Sequence, residues 1–293
     1  MAKKPTTATK KEIELFHTWL ATEDPLSIAT HLYVDADAVF SAALLSVLKP
    51  DAQVIFVPAD SEIEDTRTLG VDISNGKQAI KGLDVGSAFG LLVIGMKSID
   101  KPVYRALRRW AHQLNLTDSG EGCRDGVVLA ELVKAWRSLG LGDEGCFERA
   151  KELVAGKIKT ERSDNKQKQL AKSVKITNGV AVISNGSKIR AAHVFNQGAK
   201  VLVRESEVGH SIMISKQLMK KGVKLTELAP LLEKKDWFVH PAGFIACYGS
   251  VKSPKNFRES GFNLQEIVLF ATTWLLSHVD SGLIKIHTRS AQR

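Results

Sequence analysis

Residues 30–41 read Thr30-His31-Leu32-Tyr33-Val34-Asp35-Ala36-Asp37-Ala38-Val39-Phe40-Ser41, and this stretch decides the fold class. Ser27-Ile28-Ala29-Thr30, just before it, is a short apolar run with the look of a buried strand. The Ala- and Leu-rich segment DADAVFSAALLSVL, just after it, predicts a helix starting near Asp37. A strand thus hands a histidine and two carboxylates to its C-terminal end, where open α/β sheets place their ligands. Alternate residues of an extended segment point the same way, so Asp35 and Asp37 are expected to face one site. Carboxylates with an imidazole suit Mn²⁺ or Mg²⁺ better than a metal that prefers thiolates. The competing reading of Asp37 is an N-cap for the helix that follows.

Working outward, residues 11–22 place Ile13, Phe16 and Leu20 near one face of an amphipathic helix, and QVIFVP at 53–58 is a second apolar strand. Segment 59–82 is polar and broken by glycines, apart from the short Leu69-Gly70-Val71 ahead of Asp72. GSAFGLLVIGM fits a helix or a buried strand, whereas 101–114 and 126–139 have helical spacing. The Lys-rich stretch 150–172 reads as a helix or linker, after which the pattern resets. Strands are expected at 180–183, 199–203 and HSIMIS, with helices at 187–197, near 225–233 and at 263–278. Strands alternating with helices argue for α/β layers.

Two further strings bear on chemistry. Leu116-Thr117-Asp118-Ser119-Gly120 places a lone carboxylate in what reads as a polar turn, and Asp72 follows an apolar stretch as another strand-end carboxylate. Asp60 and Asp65 in the same loop read as solvated. In Asp236-Trp237-Phe238-Val239-His240-Pro241-Ala242-Gly243-Phe244-Ile245-Ala246 an apolar strand ends at His240, and Gly243 would allow backbone to approach a ligand closely. Arg190 and Arg204 are candidate phosphate forks, with surface solvation as the plainer reading of each.

The segment from His31 to Ser41 resembles the first motif of the DHH phosphoesterases, a strand-end His followed by Asp-x-Asp, a small helix and a Ser. Thr117-Asp118-Ser119-Gly120 resembles the late motif of the same superfamily. Asp236–Ala246 is similar to a segment near the end of Myg-type exonucleases, their distant relatives. The resemblance implies a two-domain α/β chain. Residues 1–165 would form a DHH-like domain with a mainly parallel sheet flanked by helices. Residues 173–293 would form a smaller substrate-binding domain, with the active cleft between the two. It further implies metal ligation by His31, Asp35, Asp37, Asp72 and Asp118, with Asp35, Asp37 and Asp118 catalytic. His240, Gly243, Arg190, Arg204 and Lys77 would hold substrate. One or two Mn²⁺ or Mg²⁺ ions would serve hydrolysis of phosphodiester bonds in oligonucleotides or nucleic acid. The sequence departs from the superfamily in having no Asp-His-His anywhere; Ser74, Asn75, Lys77 and Gln78 stand where those histidines are expected. A protein that binds nucleic acid or nucleotides without hydrolysis is therefore the alternative.

Composition agrees with an anionic partner. The 293 residues carry a formal charge of +9, with 44% hydrophobic and 25% charged residues. No run approaches the roughly 18 apolar residues of a membrane span. The basic N-terminus MAKKPTTATKK lacks the apolar core of a signal peptide and reads as a frayed tail. Cys123, Cys146 and Cys247 are odd in number and form no CxxC, which argues against a disulfide framework and a thiolate zinc site and points to a cytoplasmic protein. A homodimer is compatible with the sequence but not required by it.

Overall fold

A computed structural model of the chain describes residues 6–23, 26–73, 76–121, 128–184, 187, 189–256 and 259–283. Cys123, Ser74 and Asn75, singled out above, lie outside the described residues. The chain divides into two compact units, Met1–Ser163 and Asp164–Arg293. The first contains α1 (Thr7–Ala21), β1 (Ser27–His31), α2 (Ala36–Leu48), β2 (Gln53–Val57), β3 (Thr68–Val71), β4 (Ala79–Ile80), α3 (Ala88–Ile99), α4 (Lys101–Asp118) and α5 (Leu129–Ser138). Helix α6 (Asp143–Ala171) runs through the boundary. The segment expected as helix or linker is therefore continuous helix.

The first unit is built on a four-stranded, all-parallel sheet in the order β2-β1-β3-β4. β1 is central, with Ile28 aligned to Val54 on β2 and to Leu69 on β3. Because side chains alternate across a strand, Ile28 enters the main core while Ala29 joins a smaller cluster with Ile63 and Ile73. Helix α2 is apolar on nearly every side and buried from Ala36 to Ser46, the condition of a helix enclosed by protein. Phe40 at its centre meets Phe89, Trp110 and Trp136 with ring centroids 6.2, 5.7 and 6.3 Å away. GSAFGLLVIGM resolves as helix α3, N-capped by Ser87, whose side chain accepts the Gly90 N–H. α1 lies close to α3: a Cβ at Gly95 would sit 2.9 Å from Phe16.

The second unit contains β5 (Ile176–Thr177), β6 (Val180–Ile183), α7 (Ala191–Asn196), β7 (Val201–Ser206), β8 (Gly209–Ile214), α8 (Lys216–Met219), α9 (Ala229–Leu232), β9 (Phe238–Val239), β10 (Ile245–Tyr248) and α10 (Leu264–Asp280). Its six-stranded sheet runs β5-β6-β7-β8-β10-β9, parallel between β6 and β7 and antiparallel at the other pairings. Alternation again gives two cores, Val201 and Val203 on one face and Leu202 on the other. Helix α10 starts at a capping box in which Asn263 accepts the Glu266 N–H and Glu266 accepts the Asn263 N–H. The helix expected near 225–233 is instead broken into short pieces, Leu225–Leu228 and Glu233–Lys235 as 3₁₀ turns around the single turn of α9. Pro230 sits at the start of α9 and has no N–H to continue a helix from the preceding turn. Among the described residues, no helix is long and apolar enough to cross a membrane.

Candidate metal centre

β1 ends at His31, and its imidazole is oriented at both nitrogens. Nδ1 lies 2.9 Å from the Leu32 carbonyl, so its proton is donated there, while Nε2 lies 3.3 Å from Asp72 and 3.9 Å from Asp35. The hydrogen bond to Asp72 raises the His31 pKa to about 9, against the opposing effect of burial and with help from the Leu32 carbonyl and the Asp35 charge. Asp72 follows β3 directly and takes a left-handed backbone, φ 55°, with its N–H donated to the Ile80 carbonyl at 2.9 Å. An Asp tolerates that conformation better than most residues. One ligand atom from each of His31, Asp35 and Asp72 lies within 4.8 Å of the others.

Asp35 and Asp37 do not alternate along a strand, and that expectation is corrected. The backbone turns into α2 at Ala36, so Asp35 is the N-cap, accepting the Ala38 N–H at 3.0 Å, and Asp37 falls in the first helical turn. Residues two apart on a helix do not share a face. The Asp37 side chain accepts the N–H groups of Ala88 at 2.7 Å and Phe89 at 2.8 Å, so it caps the start of α3. Burial pushes its carboxyl well above the usual range and the Asp72 charge adds to this, while the two amides act against it. The end of α4 is fastened to the same point. Ser87 donates to the Asn115 side chain at 2.6 Å, and a Cβ at Gly90 would meet Asn115 at 2.0 Å. Asp118 is therefore the last residue of α4 and not part of a turn, and burial with the charges of Asp72 and Asp35 raises its pKa.

The loop between His31 and Asp35 is held by residues that nothing in the sequence marks. Asp143, at the start of α6, accepts the N–H of Tyr33 at 3.0 Å and of Val34 at 2.9 Å. Arg137 on α5 donates to the Val34 carbonyl at 3.2 Å and pairs with Asp143. Its guanidinium carbon lies 4.5 Å from the centre of the Tyr33 ring. Burial alone would raise the Asp143 pKa, but hydrogen bonds from Arg137 and the two amides outweigh it and hold the carboxyl below its usual value.

The remaining expected residues are placed as follows. Lys77 is exposed and 3.6 Å from Glu64. Asp65 accepts the Arg67 N–H and the Thr68 hydroxyl, organising its own turn. Arg190 pairs with Asp164 at 2.8 Å. Arg204 is not a surface fork: it is half-buried, donates to the Ile189 carbonyl, and burial lowers its pKa. His240 follows β9 in a turn in which its Nδ1 accepts the Ala242 N–H at 3.1 Å and its carbonyl accepts the Gly243 N–H at 2.7 Å. The close approach that Gly243 permits is to Lys224, since a Cβ there would lie 2.6 Å from the Lys224 Cβ, and φ is 75°.

The donor set fits a hard divalent cation. With the His31 Nδ1 proton engaged by a carbonyl, Nε2 is the nitrogen that would ligate once the proton it shares with Asp72 is released, and the carboxylates supply oxygen. A cation there would also offset the carboxylate repulsion that adds to burial in raising Asp37 and Asp118.

No family model and no curated protein matches the chain. Solved structures do. The pGpG-specific phosphodiesterase PggH from Vibrio cholerae is similar at 10% identity and a TM-score of 0.34, over 86% of this chain and 98% of that one. RecJ from Thermus thermophilus, in complex with Mg²⁺, is similar at 11% identity and a TM-score of 0.31, over 98% of this chain and 54% of that one. The chain thus spans about half the length of that RecJ. An exopolyphosphatase-related protein from Bacteroides fragilis is similar at 12% identity and a TM-score of 0.28, over 96% and 99% of the two chains.

Proposed function

We propose that this chain is a divergent DHH-type phosphoesterase that hydrolyses phosphodiester bonds of oligonucleotides with a bound Mn²⁺ or Mg²⁺. The observation that carries the reading is the convergence within 4.8 Å of His31 and Asp72, from the ends of adjacent parallel strands, and Asp35, from the N-cap of α2. Asp118 and Asp37 complete the acidic field around them. A bound divalent ion would supply charge neutralisation at the phosphate and a water of lowered pKa. His31 Nε2 and the carboxylates of Asp35 and Asp72 would hold it, and Asp118, outside that 4.8 Å group, adds negative charge near it. Asp37 contributes by pinning the N-terminus of α3, and with it the end of α4, against the site. His240 is proposed to contact the substrate, and Arg190 and Lys77 to act as exchangeable surface cations. The net charge of +9 favours a polyanion.

The lack of Asp-His-His favours a second reading, binding of nucleic acid or nucleotides without turnover. One experiment separates the two: Mn²⁺ titration of the purified chain, followed by incubation with an end-labelled single-stranded oligonucleotide, with and without chelator. Saturable Mn²⁺ binding with chelator-sensitive cleavage supports the enzyme. Metal and strand binding with an intact product supports the binder. Absence of Mn²⁺ binding overturns the metal-centre reading. Strand affinity should fall steeply with salt, and an affinity that salt does not change argues for a small ligand instead.

A further inference from the structure

We propose that Tyr33 is a stacking platform for the base of the nucleotide whose phosphate a divalent cation on the His31–Asp35–Asp72 cluster would engage, an assignment that rests on the phosphoesterase reading. Tyr33 stands midway between two members of the cluster, two residues from His31 and two from Asp35. Its backbone is left-handed, φ 54°, an uncommon state for a bulky aromatic residue. A conformation of that kind persists where the surroundings enforce it, and such residues gather at ligand sites.

Here the enforcement is specific. Asp143 takes the N–H groups of Tyr33 and Val34, and Arg137 holds both Asp143 and the Val34 carbonyl. The Arg137 guanidinium, its side chain only 19% exposed, supports the Tyr33 ring at 4.5 Å, yet Tyr33 remains 78% exposed. A largely buried ion pair is thus used to hold an aromatic ring in water, when burying the ring would have been the favourable course. Leu32 beside it is 51% exposed and extends the apolar surface.

A π-face on the loop between two members of a cluster that would engage a phosphate through a bound divalent cation matches a ligand that carries both a phosphate and a planar ring. Every nucleobase offers such a face, and stacking tolerates any sequence. A guanidinium beneath the tyrosine adds a cation–π contact to the same column. The substrate class is therefore nucleotide or oligonucleotide, and an inorganic or sugar phosphate would leave the platform unused.

The test compares two phosphorothioate tetranucleotide-length strands, one of thymidines and one abasic, which resist hydrolysis and share a backbone. Binding is measured calorimetrically in Mn²⁺ for the wild-type chain, Tyr33→Trp and Tyr33→Asn, the last chosen because Asn tolerates the left-handed backbone. The wild type should prefer the thymidine strand by about tenfold, as stacking of a base on an aromatic side chain implies. Tyr33→Trp should keep that preference and Tyr33→Asn should lose it, with abasic-strand and Mn²⁺ affinities alike in all three. A Tyr33→Asn chain that keeps the preference, or weakens for both strands equally, overturns the platform. Wild-type protein that binds Mn²⁺ but neither strand overturns the platform and leaves the metal centre standing. Failure to bind Mn²⁺ at all overturns the phosphoesterase reading itself.

Discussion

Asp37 accepts the backbone N–H of Phe89 at 2.8 Å, 52 residues along the chain, and so joins the helix after the first strand to the helix that precedes α4. With the Ala88 N–H it neutralises two of the unpaired donors at the start of α3. An aspartate that sequence alone offers as either ligand or N-cap is a cap, but of a different helix from the one it belongs to.

The roles of the first two aspartates should separate. Asp37→Ala removes the acceptor for two buried amides and should cost about 1–3 kcal/mol of stability, read as a lower midpoint in denaturant. Asp35→Ser keeps a side-chain N-cap while deleting the carboxylate, so stability should change by only a few tenths of a kcal/mol. Its Mn²⁺ affinity should nonetheless fall at least about tenfold, the lower end of the losses seen even for residues one shell further out. Equal effects of the two variants on stability would contradict this division.

Cation binding should release a proton. In the metal-free chain His31 stays protonated up to about 9, held by Asp72, and ligation requires its neutral form. Apparent Mn²⁺ affinity should therefore rise with pH up to that value, with proton release visible when titrations are repeated in buffers of different ionisation enthalpy. For stability the sign is opposite. A raised folded pKa contributes stability that is complete below the ordinary value of about 6.5 and is lost as pH rises through about 9. His31→Gln should flatten the stability profile of the metal-free chain across that window.

The Asp143 clamp has its own pH signature. Its carboxyl pKa is depressed, so its contribution is present above the ordinary carboxylate value of about 3.9 and is lost as pH falls through the lower folded value. Asp143→Ala should cost about 1–3 kcal/mol at neutral pH, since the N–H groups of Tyr33 and Val34 lose their acceptor and Arg137 its partner. The variant should also lose less stability than the wild type on acidification. A parallel decline of both would show that Asp143 does not carry the charge that holds the loop.

His240→Ala should weaken oligonucleotide binding or turnover while leaving Mn²⁺ content unchanged. Metal analysis beside a cleavage assay decides it, and unchanged binding and turnover would return His240 to a purely local role in the turn ending at Gly243.

The mainly parallel first sheet was an implication of the family resemblance, and the sequence pattern itself specifies the α/β class and the delivery of His31 to a strand end. Each follows from local pattern: an apolar run of strand length, then a polar break, then an Ala- and Leu-rich helix. It also marked Asp72 as a strand-end carboxylate, because the change from apolar to acidic is visible within a few residues, whereas Asp35, expected on extended backbone, and Asp118, expected in a polar turn, both stand at helix ends. Tertiary structure alone decided what these residues face. Whether Asp37 meets a cation or the amides of α3 depends on where a helix 51 residues later begins. Arg137 and Asp143 bear on the His31–Asp35 loop only because α5 and α6 fold against it, and a surface arginine and an N-terminal helix aspartate look ordinary in sequence. Arg204, expected just past a strand, lies within β7, and its half-buried guanidinium donates to the Ile189 carbonyl, a partner that no local pattern reveals. Local periodicity specifies elements, whereas the partner of a buried charge is fixed by packing between segments far apart in the chain.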